Sequence, residues 1–331
     1  YSIGTVSRVI NNHPDVSAVA KKKIEKVIKD EKFEPNSNAK LLKQSATSAI
    51  TILIKGLHNA FFSSIVEKMQ SYLQESGEDV SVVYLDELEN EVEVAIRICS
   101  EKKPKGLIFL GGNQKYFRES FVSIKVPCVL CSESAAGMNF SNLSSFTTDD
   151  REAARAAAEY LIRSGHRKIG IVCGSAVSEA GLIGSKRVDS AITAFKENKI
   201  PFDKRKQFVP GKFSLEDGYN GTMKLLDRYP EVTAIYAVSD VVAIGALRAI
   251  NDRNLKVPQD ISIIGNDGID FARYVTPRLA TVEQDASQLA KRSVDDLLLR
   301  LNYNKPVIHE IIPFHVLAGE SIHIKKPVEE K

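Results

Sequence analysis

The chain has 331 residues, 43% of them hydrophobic and 26% charged, with no Trp and a formal net charge of +3. That composition belongs to a folded globular protein, and the length calls for about two or three domains. There is no run of about eighteen apolar residues for a membrane-spanning helix and no opening signal-type segment, so a cytoplasmic protein is expected.

The first segment carries helix signals and no strand signal. Ser2 is placed to cap a helix whose apolar residues Val6, Val9 and Ile10 share one side, with Ile3, Gly4, Ser7, Arg8 and Asn11 on the other. Asn12-His13-Pro14-Asp15 breaks it, and Ser17 caps a second helix expected to turn Val19, Ile24, Val27 and Ile28 inward and its lysines outward. A short third helix is predicted over 36–44, followed by the linker Ser45-Ala46-Thr47-Ser48. Up to Ala49 the basic residues Arg8, Lys21, Lys22, Lys23, Lys26, Lys29, Lys32, Lys40 and Lys43 outnumber the acids Asp15, Glu25, Asp30, Glu31 and Glu34. A positive excess confined to one end points to a polyanion partner there; a solvated lysine face is the plainer alternative.

From Ala49 the pattern becomes an alternation of strand and helix. Strands are predicted over 50–54, 80–84, 106–110 and 126–131, with helices over 62–73, 91–100, near Phe117 and over 151–163. Cys128 and Cys131 form a CxxC inside the apolar strand 126–131. Residues three apart on a strand face opposite sides, so a buried structural pair is expected rather than a metal knuckle. The rhythm restarts with strands over 168–172, 207–209, 234–237 and 261–265 and helices over 186–197, 216–227, 241–251 and 286–301. Two such series argue for two doubly wound, mostly parallel subdomains facing each other across a hinged cleft, with ligand held outside the strand carboxyl ends.

The stretch Thr5-Val6-Ser7-Arg8-Val9-Ile10-Asn11 closely resembles the recognition helix of the LacI/GalR repressor family. Matching features follow in order along essentially the whole chain: Val16-Ser17, Phe33-Glu34-Pro35-Asn36, Ser164-Gly165-His166-Arg167, Ser239-Asp240 with Ala243 and Gly245, 257–262, Gly265-Asn266-Asp267 and Thr276-Pro277. The resemblance implies a small all-α helix-turn-helix head with a hinge helix over 1–46. An α/β periplasmic-binding-protein-like module of two doubly wound parallel-sheet subdomains then occupies 47–331. The N-subdomain is expected over about 47–149 and 285–312, and the C-subdomain over about 150–284 and 313–331. The family's head has a further helix ahead of the position of Ser2, so a chain starting at Tyr1 is expected to bind operator DNA weakly or not at all.

Ile3, Gly4 and Arg8 project from the end of the helix that reads base edges in a major groove. Arg8 can donate two hydrogen bonds to guanine, worth roughly 1–3 kcal/mol of discrimination. Ile3 can pack on a thymine methyl, whereas Gly4 offers little direct specificity. Ser2, Thr5, Ser7 and Asn11 suit phosphate contacts. Asn36 to Lys43 resembles the family's hinge helix, too short to be stable alone in water and expected to fold on DNA against a partner's hinge. Ala39 allows close approach, Lys40 and Lys43 would track phosphates, and Leu42 matches the lever that wedges into a minor-groove step. Packing against its own domain is the alternative for Leu42.

The six histidines are scattered, and no HExxH, GxSxG or P-loop occurs. No enzyme, cofactor or metal is therefore expected. Gly111-Gly112-Asn113 reads as a turn at a strand end near the cleft. Phe62 from one subdomain and Phe213 from the other can sandwich a ring, with Phe61 read as either wall or core. Arg187 and Asp267 match two polar ligand contacts of the family; Ser239 and Asp240 are further candidates, although Asp240 is equally suited to capping its helix. Ser132-Glu133 stands where many family members place an aspartate, and Ser190 where a glycine is usual. A sugar or sugar derivative is the expected effector, with a nucleobase or phosphorylated sugar left open. The expected whole is a homodimeric repressor of carbohydrate-related genes on a pseudo-palindromic operator, away from any membrane. The alternative is a sugar-binding protein of a transport system using the same clamp.

Overall fold

The computed structural model describes residues 5, 6, 9, 17–30, 49–56, 59–174 and 183–324. The chain divides into two compact units, Tyr1–Ser48 and Ala49–Lys331. In the first, Thr5, Val6 and Val9 are helical, and α1 runs over Ala18–Asp30. The Ser17 hydroxyl accepts from the Ala20 amide at 3.3 Å, as expected of a cap. Ala20 and Ile24, four apart, form the buried face with Val9. Val19 and Val27 were expected inside but are 67% and 60% exposed. The buried stripe is narrower than the aliphatic content of this helix. Ser2, Ile3, Gly4, Ser7, Arg8 and Asn11 of the reading segment lie outside the described residues, as do Asn36, Ala39, Lys40, Leu42 and Lys43 of the hinge segment.

The second unit is built on two six-stranded sheets. In chain order its elements are β1 (Ile50–Lys55), α2 (Ala60–Glu75), β2 (Val80–Leu85), α3 (Glu91–Lys102), β3 (Gly106–Leu110), α4 (Gln114–Ser120), β4 (Cys128–Cys131) and β5 (Leu143–Thr147). Then come α5 (Asp150–Arg163), β6 (Ile169–Val172), α6 (Ile183–Glu197), α7 (Lys204–Gln207), β7 (Phe208–Val209), α8 (Leu215–Arg228), β8 (Ala234–Ala237) and α9 (Asp240–Asp252). The series closes with β9 (Ser262–Asp267), α10 (Phe271–Tyr274), β10 (Ala280–Gln284), α11 (Ala286–Tyr303), β11 (His309–Ile311) and β12 (Phe314–Leu317).

The first sheet has the order β11-β5-β4-β3-β1-β2 and is parallel throughout. The second has the order β12-β10-β9-β8-β6-β7, parallel except for β12 against β10. Strands β3, β4, β6 and β8 are buried along their whole length, because helices cover both faces of each sheet. This explains why they read as unbroken apolar runs. Helix α2 buries Phe61, Phe62, Ile65, Val66, Met69 and Leu73, a helical spacing of three and four. Cys128 and Cys131 fall in different core clusters on opposite faces of β4, and both are free thiols. Burial pushes the Cys131 thiol up to about 12, which suits an inert core residue.

Four strands lay outside the sequence reading: β5, β10, β11 and β12. Strand β5, Leu-Ser-Ser-Phe-Thr, is fully buried but hides its serines through hydrogen bonds. The Ser145 hydroxyl bonds His309 Nδ1 at 2.9 Å and accepts from the Ala135 amide at 3.0 Å. The chain changes sheets three times: between β5 and β6, between β10 and β11, and between β11 and β12. Helix α11 packs on the first sheet after the second of these crossings.

Candidate functional site

A cavity of about 560 Å³ opens where the carboxyl ends of the two sheets meet. The first sheet supplies Lys55 from the end of β1, Asp86 after β2, Gly111 and Gly112 after β3, and Ser132 after β4. The second supplies Gly174 after β6, Pro210 to Ser214 after β7, Asp267 at the end of β9 and Gln284 at the end of β10. This is the place where open parallel sheets bind ligands. The backbone turns sharply there. Ser132, Cys173 and Asp267 have φ of 69°, 66° and 118°, a region side-chain-bearing residues rarely adopt. Asp267 in particular is held in a strained conformation, of the kind that clusters at ligand-binding positions and costs of order 1–3 kcal/mol. Gly111, at φ 77°, has no room for a side chain: a Cβ there would lie 2.8 Å from the Phe62 ring.

Of the sequence-predicted effector residues, Phe62, Arg187, Phe213 and Asp267 line this cavity together. Phe61 lines it as well as packing in the core, its ring centroid 6.0 Å from that of Phe62. Arg187 on α6 is 4% exposed and clamped between two carboxylates. Its Nε and Nη2 each stand 2.7 Å from Asp150 Oδ1, and its Nη1 is 2.9 Å from Asp267 Oδ1. Nη1 also donates to the Val238 carbonyl at 2.7 Å. Burial alone would lower the Arg187 pKa, but Asp267 and Asp150 reverse this and raise it, so the guanidinium stays charged. Asp267 Oδ1 also accepts from Gln284 Nε2 at 2.9 Å and Asn266 Nδ2 at 3.2 Å. Burial holds the Asp267 pKa above the usual carboxylate range, against the pull of Arg187.

Ser239 and Asp240, also expected at the effector, are absent from the cavity lining. Ser239 is the N-cap of α9, its hydroxyl accepting from the Val242 amide at 3.3 Å. Asp240 is wholly buried behind the wall. Its Oδ2 accepts from the Gly268 and Ile269 amides at 2.7 and 2.9 Å, and its Oδ1 from the Thr281 hydroxyl at 2.6 Å. Both residues follow the end of β8, but their side chains turn into the protein. Asp240 thereby fastens the turn that follows Asp267. Burial and the Asp267 charge push its pKa up to about 7.

Several wall residues had no signal in the sequence reading. Lys55, the last residue of β1, sends Nζ to Glu91 Oε2 at 2.5 Å and lies 5.0 Å from the Tyr116 ring centroid. Asn59 caps α2, its Oδ1 accepting from the Phe61 and Phe62 amides at 3.1 and 3.2 Å. Ser214 and Asp217 form a capping pair on α8, a Ser-x-x-Asp pattern that was legible in principle. Asp150 and Gln284 lie at the chain crossings, where only the tertiary fold brings them to Arg187 and Asp267.

One polar contact bridges the two subdomains beside the cavity. Lys186 Nζ, from the second, donates to Glu133 Oε1 and Oε2 at 2.8 and 2.7 Å, from the first. Glu133 also accepts from Gln114 Nε2 at 3.0 Å and the Ser134 amide at 2.8 Å. Burial raises the Glu133 pKa while Lys186 opposes the shift. Thus Glu133, noted as a departure from the family pattern, is a buried anion with a partner across the cleft.

Among the described residues, no group of three or more His, Cys, Asp or Glu side chains is arranged to hold a metal ion. No helix among them is long and apolar enough to cross a membrane.

Comparison with known proteins agrees with both units. The bacterial regulatory proteins of the lacI family match over residues 2–36, and the periplasmic binding protein-like domain over residues 158–322. The chain is 36% identical over 323 residues to the HTH-type transcriptional regulator MalR of Clostridium butyricum, spanning 96% of this chain and 95% of that protein. It is 28% identical to the ribose operon repressor of Haemophilus influenzae across 91% of this chain and 88% of that protein. A solved structure of the lac repressor bound to ONPG superposes with a TM-score of 0.75 at 25% identity, covering 97% of this chain and 95% of that one. These relatives are regulators matched along nearly their whole length, which leaves the transport-protein alternative without support.

Proposed function

Because this chain belongs to the LacI family of bacterial regulatory proteins, we propose that it is a homodimeric repressor of carbohydrate-related genes whose cavity binds a sugar or sugar derivative. The observation that carries the effector reading is the Arg187–Asp267 pair lining, together with Phe62 and Phe213, a cavity where the two sheets meet. Arg187 and Asp267 present polar edges to ring hydroxyls, and the phenylalanines cover the apolar faces of a ring. The role is one of binding, with no reaction at the cavity.

The head would read a pseudo-palindromic operator. In this reading Arg8 contacts a guanine, with Ile3 and Gly4 against base edges. Ser2, Thr5, Ser7 and Asn11 hold phosphates. The hinge residues Asn36, Ala39, Lys40, Leu42 and Lys43 engage the minor groove and its backbone. Ligand binding acts by favouring one arrangement of the two subdomains over another. The coupling equals the difference in ligand affinity between those arrangements.

Gel-shift titration of the natural full-length protein on candidate operators, with and without sugars, tests the proposal. Salt-sensitive, sequence-selective binding altered by a sugar is expected. Arg8→Ala should lose about 1–3 kcal/mol of discrimination at one base position while retaining non-specific affinity. Binding that ignores both sequence and sugar would overturn the proposal.

A further inference from the structure

We infer that Glu91 and Asp240 are positioning residues, one for each wall of the cavity, that set effector affinity without touching the ligand; the inference rests on the cavity being the effector site. Neither side chain lines the cavity, and both are buried. Each is the first residue of a helix, Glu91 of α3 and Asp240 of α9. A carboxylate at a helix start ordinarily takes up the free amides of its own first turn. In both helices the residue ahead does that instead. Asn90 Oδ1 accepts from the Val92 and Glu93 amides, and Ser239 Oγ from the Val242 amide. The two carboxylates are thereby left to reach sideways across their sheets.

The two reaches correspond. Glu91 follows β2 and holds the end of β1 and the turn after β3, in the sheet order β2-β1-β3. Its Oε2 lies 2.5 Å from Lys55 Nζ, and its Oε1 accepts from the Asn113 amide at 2.5 Å. Asp240 follows β8 and holds the turn after β9 and the strand β10, in the sheet order β8-β9-β10. It does so through the Gly268 and Ile269 amides and the Thr281 hydroxyl. A Cβ on Gly265 would lie 2.1 Å from Asp240 Oδ1, so the glycine leaves β9 room for this carboxylate. In both subdomains the groups held stand next to residues that line the cavity. Asn113 follows Gly111 and Gly112, and Gly111 abuts the Phe62 ring. Gly268 follows Asp267, whose φ of 118° has to be held from outside. Burying a carboxylate is costly, and apolar packing in place of a buried ion pair is often neutral or stabilising. Stability alone therefore does not account for carboxylates at these two places; placement of the walls does.

The test separates reach from charge and from stability. Thermal shift of the full chain with ribose, glucose, maltose and cellobiose finds the tightest of these probes, and calorimetric titration with that sugar then compares variants. Asp240→Glu and Glu91→Asp keep the charge and change the reach by one methylene. Each should weaken binding by about tenfold, the worth of one charged hydrogen bond at a displaced wall. Asp240→Asn keeps the shape and an acceptor oxygen for the turn, and should bind nearly as the wild type does. Asp296→Asn is the control for stability alone. Asp296 is also buried, 2.9 Å from Arg300 on α11 and outside the cavity lining, so its variant should melt earlier and bind the sugar unchanged. If Asp240→Glu does not fold, Asp240→Ser, whose hydroxyl stops short of the turn, replaces it with the same expectation. Wild-type affinity in the reach variant at either position would overturn the inference while leaving a sugar site in place. So would a loss of affinity in Asp296→Asn as large as theirs. No binding of any of the four sugars by the wild type would overturn the inference and the effector reading together.

Discussion

Replacing Arg187 by Met keeps the bulk of the side chain and removes its charge. In the wild-type protein Arg187 is 4% exposed and holds Asp150, Asp267 and the Val238 carbonyl with contacts of 2.7–2.9 Å. The variant leaves two carboxylates in the wall without their cation and one buried carbonyl without that donor. Breaking a buried pair by removing one partner costs about 3–5 kcal/mol. In a unit of this size that lowers the melting temperature by roughly 10 °C. The loss has a pH signature. Asp267 is already held above the usual carboxylate range by burial, and Arg187 is what pulls it back. Without Arg187 the folded-state pKa rises further above the unfolded value. The added instability is then absent below the unfolded pKa and grows as pH rises through the gap between the two. Melts of both proteins from pH 5 to pH 8 should diverge as pH rises. The double variant Arg187→Met/Asp267→Asn should recover part of the deficit at pH 7. A variant that melts with the wild type, or a deficit independent of pH, would refute the assignment of Arg187 as the buried counter-ion of the wall.

Three further outcomes follow from the geometry. Asp240, with its pKa pushed up to about 7, binds a proton more tightly folded than unfolded, so its contribution to stability falls as pH rises from about 4 to about 7. Asp240→Asn should flatten that part of the stability profile in urea melts, since its amide oxygen can still accept from the Gly268 and Ile269 amides but no group there titrates; a profile that keeps its slope would contradict the assignment. Gly245→Ala should destabilise by about 1–3 kcal/mol or more, since a Cβ there would lie 2.1 Å from the Leu215 carbonyl and 2.8 Å from the Tyr219 amide nitrogen, both backbone atoms of α8. An unchanged denaturation midpoint would contradict that contact. Glu133→Gln removes the charge from the contact that bridges the cleft to Lys186. X-ray scattering should then show a more open unliganded protein, and effector affinity should fall by several-fold; identical scattering and affinity would show that the pair does not tie the subdomains.

The architecture was legible because burial wrote it into composition. Strands such as Ile50–Lys55 and Ala234–Ala237 are covered on both faces and read as apolar runs, and helices such as Ala60–Glu75 carry a one-sided stripe. Strand β5 was missed because its serines are satisfied by tertiary hydrogen bonds invisible in sequence. Strands β11 and β12, of three and four residues, are too short to show a period. At the cavity, Phe62, Phe213, Arg187 and Asp267 were found through strand ends and family resemblance. Ser239 and Asp240 passed the same strand-end criterion, yet their rotamers direct them to a helix cap and a buried turn. Position along a strand fixes which loop a residue joins; which way its side chain turns is decided by the donors waiting inside. Val19 and Val27 carry the same lesson in the head, where helical spacing named apolar residues that stand exposed.

The three chain crossings carry a consequence for how the molecule comes into being. Strand β11 extends the first sheet by pairing with β5, across His309–Ser145, and β12 extends the second by pairing with β10, across Phe314–Gln284. These two strands are separated by Ile312 and Pro313 alone. Each sheet therefore waits for one of its edge strands until α11 and the segment after it have been made. Neither half can be finished independently of the other. A chain cut shortly after α11 would expose the flanks of β5 and β10 together, leaving two open edges available for mispairing with other chains.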